Sequence, residues 1–365
     1  MTSTTSTLAT RPLDLEALRQ LARRRGVCLT ILLPPSHPGA AEGDKLTTFR
    51  SLCRSLVASE EVALRDRMEA ALIERGLKGG GPGLALFGGP DFLEIYRAPV
   101  SAAQIFEGSY CLLLPFLLDS STPQDFFVLG LSKKLIRLLH YEHGECKALE
   151  LPAGMPASLE EVHGVETRDH NMENRAPAGT AQGNLHAVRF GTSAEREDSA
   201  KHLDHFFMRL DESLAPVLGK RSLLLMGVDE EIATFRRVAK QCSIFKGQIS
   251  QGMRDLTLRE ITQLAGECAL VQGRGKGMES FLHIHERISG RPPVEEIAEL
   301  LELARAGRIQ SLCVPELAHG QHDSNYREAQ LNAAVAETLS HGGEVSTVLP
   351  AEVAPARALA ALLRY

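Results

Sequence analysis

The chain has 365 residues, room for two or three domains, and 44% of them are hydrophobic, enough for real cores. A formal charge of −6 and a pI near 6.1 exclude a general polyanion binder, so no DNA partner is expected. The longest apolar run, Cys111–Leu118, is far too short to span a bilayer, so no membrane partner is expected either.

The seven cysteines (28, 53, 111, 146, 242, 268 and 313) are scattered, odd in number and never in a CxxC. Most sit inside apolar runs, so they are expected to be reduced, structural thiols of a cytoplasmic protein. The opening stretch Met1–Thr7 is polar, and no signal peptide is expected. Basic residues cluster only locally, at Arg23–Arg25, Lys133–Lys134, Lys220–Arg221 and Arg236–Arg237.

Residues 1–122 read as an N-terminal α/β domain. Leu13–Arg25 has apolar residues at helical spacing and ends at Gly26; Val27–Leu33 is a short buried strand halted by Pro34-Pro35. Asp44–Ala58 and Ser59–Arg75 are amphipathic helices, the second closed by Gly76. Gly79–Gly83 leads into a strand at Leu84–Phe87, not a helix, and no Gly-Lys-Ser/Thr follows, so it is not a phosphate loop. Phe92–Arg97 and Tyr110–Leu118 read as the remaining strands.

Residues 123–273 form the middle domain. Phe126–Leu131 is a continuous apolar run, the mark of a central strand. Leu135–Tyr141 and Lys147–Leu151 flank Glu142-His-Gly-Glu145 as a hairpin. Residues 171–191 show neither helical nor strand period and predict a long exposed loop. It runs into Thr192-Ser-Ala-Glu195, a capping box, and a helix with Leu203, Phe206, Phe207, Leu210, Leu214 and Val217 on one face. Leu223–Gly227 is a further strand, Asp229 caps a helix with Ile232, Phe235 and Val238 facing inward, and Thr257–Glu260 is a second capping box opening a helix through Ile261, Leu264 and Cys268.

Gln272-Gly-Arg-Gly-Lys-Gly277 reads as a hinge, and residues 274–365 as the last domain. A helical face of Phe281, Ile284 and Ile288, ended by Gly290–Pro293, and helices at Val294–Ala306 and Arg327–His341 alternate with strands at Ile309–Val314 and Val345–Leu349, which predicts a small α/β/α sandwich.

Side-chain chemistry finds little footing. His202 and His205 share a helix face with Asp198 one turn earlier, yet a further ligand would have to come from elsewhere, and the group reads as a solvated face. His283 and His285 point about 200° apart on a helix and cannot share a metal. His319, His322 and Asp323 fall in a loop whose polarity explains them equally well. With no GxSxG, HExxH or CxxC, neither cofactor nor metal is expected.

Taken in order, the pieces resemble the class I peptide-chain release factors of archaea and eukaryotes and Pelota, and more closely the bacterial archaeo-eukaryotic release factor family. The resemblance is carried by Leu29–Pro35, Phe127–Ser132, Leu223–Val228, Ala306–Val314 and the Leu-Leu-Arg-Tyr ending at Tyr365. It implies an α/β chain of three domains, the middle one RNase H-like and the last resembling kink-turn RNA-binding ribosomal proteins.

In true release factors the loop before the long middle-domain helix carries Gly-Gly-Gln, which enters the peptidyl-transferase centre. Here the loop reads Gly179-Thr180-Ala181-Gln182-Gly183, with Gln182 kept and both glycines replaced. Glycines there open backbone angles closed to Thr and Ala. Tyr110-Cys111 does not match the family's codon-reading Tyr-x-Cys spacing. The resemblance thus implies a ribosome-associated, rRNA-contacting factor of the A site, in rescue or hibernation, with a translational GTPase as a further candidate partner and no hydrolysis. The alternatives are a peptidyl-tRNA hydrolase using Gln182 and a scaffold outside translation. Lys133, Lys134, Arg274 and Lys276 are the candidate phosphate contacts.

Overall fold

The computed structural model describes residues 11–36, 44–56, 59–77, 82–152, 154–161, 193–288, 296–316, 326–353 and 358–364. The described residues form a mixed α/β fold with three sheets. The chain divides into two compact units at Pro123/Gln124 and Gln272/Gly273. One holds residues 124–272; the other joins residues up to 123 with those from 273 onward.

The 124–272 unit is built on five strands: β5 (Asp125–Gly130), β6 (Arg137–Glu142), β7 (Glu145–Leu149), β8 (Leu223–Met226) and β9 (Ile244–Ile249). Their order is β7-β6-β5-β8-β9. β6 runs antiparallel to both its neighbours, while β5, β8 and β9 are parallel, the arrangement of an RNase H-like sheet. β5 is central and, past Asp125, buried on both faces, which is why Phe126–Gly130 is unbrokenly apolar. Phe127 and Leu129 face α5 (Ser193–Leu218) and α6 (Asp229–Val238); Phe126 and Val128 face the first turns of α7 (Leu258–Ile288). The β6–β7 hairpin turns on His143 and Gly144, at φ 47° and 87°, as a two-residue turn with paired left-handed residues requires.

The other unit holds two sheets. Strands β1 (Cys28–Leu33), β2 (Leu84–Gly89), β3 (Phe92–Arg97) and β4 (Gln104–Gly108) are antiparallel in the order β3-β2-β1-β4. One face packs on α2 (Asp44–Leu52) and α3 (Ser59–Glu74), through Phe49, Met68 and Leu72. The opposite face packs on α1 (Leu15–Ala22) and the stretch from Cys111 to α4 (Leu117–Ser121). The second sheet, β11 (Glu344–Val348), β10 (Ile309–Pro315) and β12 (Ala360–Leu363), lies between α7 residues Phe281 and Ile284 on one side and α8 (Ile297–Arg305) with α9 (Tyr326–Ser340) on the other.

A single hydrophobic core runs through both halves of this unit, a non-local arrangement that periodicity along the chain does not reveal. Helix α9 is its axis. All positions from Leu331 to Leu339 are buried, as in a helix enclosed on every side. Its polar residues are therefore bonded. Asn332 accepts from the N–H of Leu113 (2.8 Å) and Leu114 (3.3 Å) and donates to the Cys111 carbonyl (2.8 Å). Glu337 accepts from Arg25 (2.8 Å) and the Tyr110 hydroxyl (2.7 Å).

Several expectations are corrected. Gln272–Gly277 is not a hinge loop but lies inside the continuous helix α7. Two of its three glycines serve close approach: a Cβ on Gly277 would stand 2.0 Å from the Thr347 carbonyl oxygen, and one on Gly273 would stand 2.6 Å from Thr122 Oγ1. Gly275 faces open space. We expect Gly277→Ala to cost about 2 kcal/mol through overpacking, whereas Gly275→Ala should stabilise by about 0.5–1 kcal/mol through helix propensity. Urea melts of the two variants check this, and equal effects would restore the hinge reading.

Tyr110–Leu118 is likewise not a strand. It is irregular, then a short 3-10 turn and α4; the edge strand is β4, whose mixed sequence hid it. β9 was missed for the same reason, carrying Lys246 and Gly247 in its middle. Asp229 does not cap α6. Its carboxylate instead accepts from Gln248 (2.9 Å) and Ser250. Val217 is exposed, and Leu218, four residues beyond Leu214, completes the α5 core face.

Candidate functional site

The expected loop at 171–191, with Gly179, Thr180, Ala181, Gln182 and Gly183, lies outside the described residues, as does the Thr192 capping box. What the structure describes is the support on either side. On the N-terminal side the chain leaves β7 and folds back on the core, burying Met155 against Leu151 and Leu159. Ile136 donates to the Ala157 carbonyl (2.9 Å) and Leu159 to the Lys133 carbonyl (2.9 Å). The turn after β5 is thus tied, at Lys133 and Ile136, to the segment that follows β7.

On the C-terminal side stands α5, 26 residues long and about 39 Å at 1.5 Å per residue. Phe206, Phe207, Leu210 and Leu214 are fully enclosed, and Phe207 meets Phe235 of α6 edge-on at 5.6 Å. The buried Asp211 fixes the helix in rotation and along its axis. Its Oδ2 accepts from the N–H of Lys240 (2.7 Å) and Gln241 (2.9 Å), and its Oδ1 from Cys242 (3.0 Å). Sequence reading missed this residue, since a lone Asp on a helix resembles any solvated one.

Lys133 and Lys134 are exposed in the turn after β5, at the carboxyl ends of the parallel strands β5 and β8, where the strand order switches direction. The turn is shaped from both sides. Gly227 lets β8 pass where a Cβ would stand 2.8 Å from the Leu131 carbonyl oxygen, and Glu231 accepts from the Lys133 N–H (3.3 Å). Burial holds Glu231 above the usual carboxylate range, an effect that Lys133 only partly offsets.

In the other unit, Lys276 is exposed on α7, while Arg274 is engaged by Glu316 through two bonds of 2.7 and 3.1 Å. The described part of the molecule therefore places Lys133 beside the approach to the loop, and ties Arg274 to a carboxylate.

Another cluster escaped the sequence. Asp125 accepts from Arg221 (2.7 Å) and pairs with His140 (2.7 Å), whose ring stacks on Phe127 at 4.9 Å. Burial alone would raise Asp125, but the bonds from Arg221 and His140 outweigh it and hold the carboxyl below its ordinary range. Among the described residues no nucleophile is bonded to this group, which reads as a strand-end clasp.

His202 and His205 lie on α5, while His319, His322 and Asp323 fall outside the described residues. His285 faces the Phe281 carbonyl at 3.1 Å, with the two rings 4.0 Å apart. Among the described residues, no group of three or more His, Cys, Asp or Glu could hold a metal ion. All seven cysteines are free thiols, five of them buried. No helix among the described residues is long and apolar enough to cross a membrane.

Residues 124–269 match the family model described as "Bacterial archaeo-eukaryotic release factor family 6". No curated protein matches the chain. Among solved structures the chain is similar to the archaeal translation termination factor aRF1, at 13% identity over 96% of this chain and 98% of that one, with a TM-score of 0.24. Archaeoglobus fulgidus Pelota gives 10% identity over 97% and 93%, with a TM-score of 0.38. S. cerevisiae Dom34, described as a translation termination-like factor interacting with Hbs1, gives 10% over 97% and 94%, with a TM-score of 0.34. Residues 124–269 are thus similar to the bacterial archaeo-eukaryotic release factor family.

Proposed function

We propose that the protein is a cytoplasmic, ribosome-associated factor that enters the A site during rescue or hibernation without hydrolysing peptidyl-tRNA. The observation that carries this reading is the family match over residues 124–269, which covers the segment holding the altered Gly179–Gly183 sequence. The firm anchoring of α5 supports it, because a helix held by a buried aromatic face and Asp211 suits the projection of a preceding segment into a partner. Lys133, Lys134 and Lys276 are exposed and suited to phosphate contacts; Arg274 would first have to leave Glu316. Dom34 interacts with Hbs1, and a structure of archaeal Pelota includes ABCE1. A translational GTPase is a further candidate partner.

Co-sedimentation with vacant and with stalled ribosomes tests the reading. We expect binding, with the log–log salt slope reduced by about one for each phosphate-contacting lysine reversed. We expect no peptide release from a purified ribosome complex, since Thr180 and Ala181 do not reach the conformations open to glycine. Release abolished by Gln182→Ala would establish the hydrolase instead. Absence of the protein from every ribosomal fraction at low salt would leave the non-translational scaffold.

A further inference from the structure

Two of the seven free thiols meet each other, within the unit formed by residues up to 123 and from 273 onward. Cys28 opens β1, and Cys111 follows the end of β4; both are buried in the same core. The side chain of one hydrogen-bonds that of the other. The backbone explains the meeting. Cys28 pairs with Gly108, the last residue of β4. The chain then turns back across β1, where the Leu112 N–H donates to Thr30 Oγ1 (3.1 Å). Cys28 and Thr30 are two positions apart on a strand and so share that face. Asn332 holds the other side by donating to the Cys111 carbonyl (2.8 Å). Cys242 and Cys268, by contrast, donate to the carbonyls of Asp211 (3.7 Å) and Gln248 (3.8 Å).

The two sulfurs differ in their surroundings. The bond from Cys111 lowers the Cys28 pKa against its burial, helped by Arg25 and Arg24; the same bond, then burial, pushes Cys111 up. The thiolate is the reactive form, so Cys28 is the attacking sulfur and Cys111 its resolving neighbour. Cys28 also sits at a corner of the sheet. β2 pairs with β1 only from Leu29 onward, and Gly26 and Val27 just before it are exposed. Opening a strand end costs far less than unfolding the domain, and a small oxidant can use such an opening.

We propose that Cys28 and Cys111 are a redox-modification site, converted by a peroxide into a reversible disulfide that staples this unit. The Cys28 sulfur attacks one peroxide oxygen and breaks the O–O bond. It becomes a sulfenic acid, and the other oxygen leaves as water. The Cys111 sulfur then attacks the sulfenic sulfur, forming the S–S bond and expelling a second water. Two thiols and one hydrogen peroxide thus give one disulfide and two waters, with two electrons passing from sulfur to oxygen. A dithiol restores both thiols by exchange. Transient disulfides of this kind are the ones found in reducing compartments. The neighbouring Thr30–Leu112 bond already spans 82 positions, so the disulfide closes a long loop and ties β1 to the stretch held by α9.

Hydrogen peroxide added to the full native chain, followed by denaturation, alkylation and non-reducing peptide mapping, tests this. We expect two of the seven thiols to escape labelling and one crosslinked peptide pair, Cys28 with Cys111. The thermal midpoint should rise by about 5 °C or more and return on adding dithiothreitol. Cys111→Ser should leave a sulfenic acid on Cys28 for dimedone to trap, and Cys28→Ser should give no trapping on Cys111. Cys53 is the internal control: burial pushes its thiol up to about 11, and it should keep its label. A crosslink joining any other pair, one formed only when the chain is unfolded before peroxide is added, or full labelling of all seven thiols would overturn the proposal. So would a Cys28–Cys111 crosslink that leaves the midpoint where it was.

Discussion

Asp211→Ala should destabilise the 124–272 unit by about 4 kcal/mol. The carboxylate is buried and accepts three backbone N–H groups, from Lys240, Gln241 and Cys242. Bonds to a charged acceptor contribute about 1.5–3 kcal/mol each, and donors left unbonded after truncation lose most of that. Asp211→Asn keeps one acceptor oxygen and should cost about half as much. Burial acts to raise the Asp211 pKa, but bonds from Cys242 and the three N–H groups more than offset it, so the folded value lies below the ordinary one. The sign follows. The stabilisation is complete above the unfolded carboxyl value near 4 and drains away as pH falls through the lower folded value. Urea unfolding at neutral pH and at about pH 3 checks both points. A cost below about 1 kcal/mol, or one that does not shrink in acid, would show that the residue does not clamp α5.

How much of this could be read from the chain depends on what each residue's neighbours are. β5 and β8 were legible because a strand buried on both faces has to be apolar throughout. The α7 start was legible because a capping box is wholly local: the Thr257 N–H donates to Glu260 (2.8 Å), and the Glu260 N–H donates to Thr257 Oγ1 (3.3 Å). Glycine was the least legible residue. Gly144 makes a turn, while Gly273 and Gly277 let a helix pass close to Thr122 and Thr347, and the sequence prints the same letter for each. The run Cys111–Leu118 looked like a strand because it is buried throughout, yet its burial comes from α9, more than 200 residues away by the Asn332 bonds to Cys111, Leu113 and Leu114. The clamp at Asp211 depends on a turn 29 to 31 residues further on. Of the candidate site itself, the two lysines after β5 stood out as a local cluster, whereas their nearness to the approach of the loop depends on Leu159 and could not be read from spacing.

The last expectation concerns Asp119 on α4. Its carboxyl is pushed up to about 7, first by burial and then by the nearby Glu316 carboxylate. Glu316 is in turn held by Arg274. An unfolded Asp releases its proton near pH 4, whereas the folded one keeps it until about pH 7. Between those values the folded state binds more protons than the unfolded one, so stability falls as pH rises through the window and levels off above it. Such a displacement is worth at most about 4 kcal/mol, and about 2 kcal/mol is expected for a partly buried side chain. Asp119→Asn carries no charge at any pH. It should be about 2 kcal/mol more stable than the parent at pH 8 and indistinguishable from it at about pH 4. Arg274→Ala should act the other way, leaving Glu316 uncompensated, raising the Asp119 value further and steepening the loss of stability towards alkaline pH. Denaturation midpoints of the three proteins across that range decide the matter. Parallel curves for parent and Asp119→Asn would show that the carboxyl is ionised in the folded state throughout, and that Glu316 does not govern it.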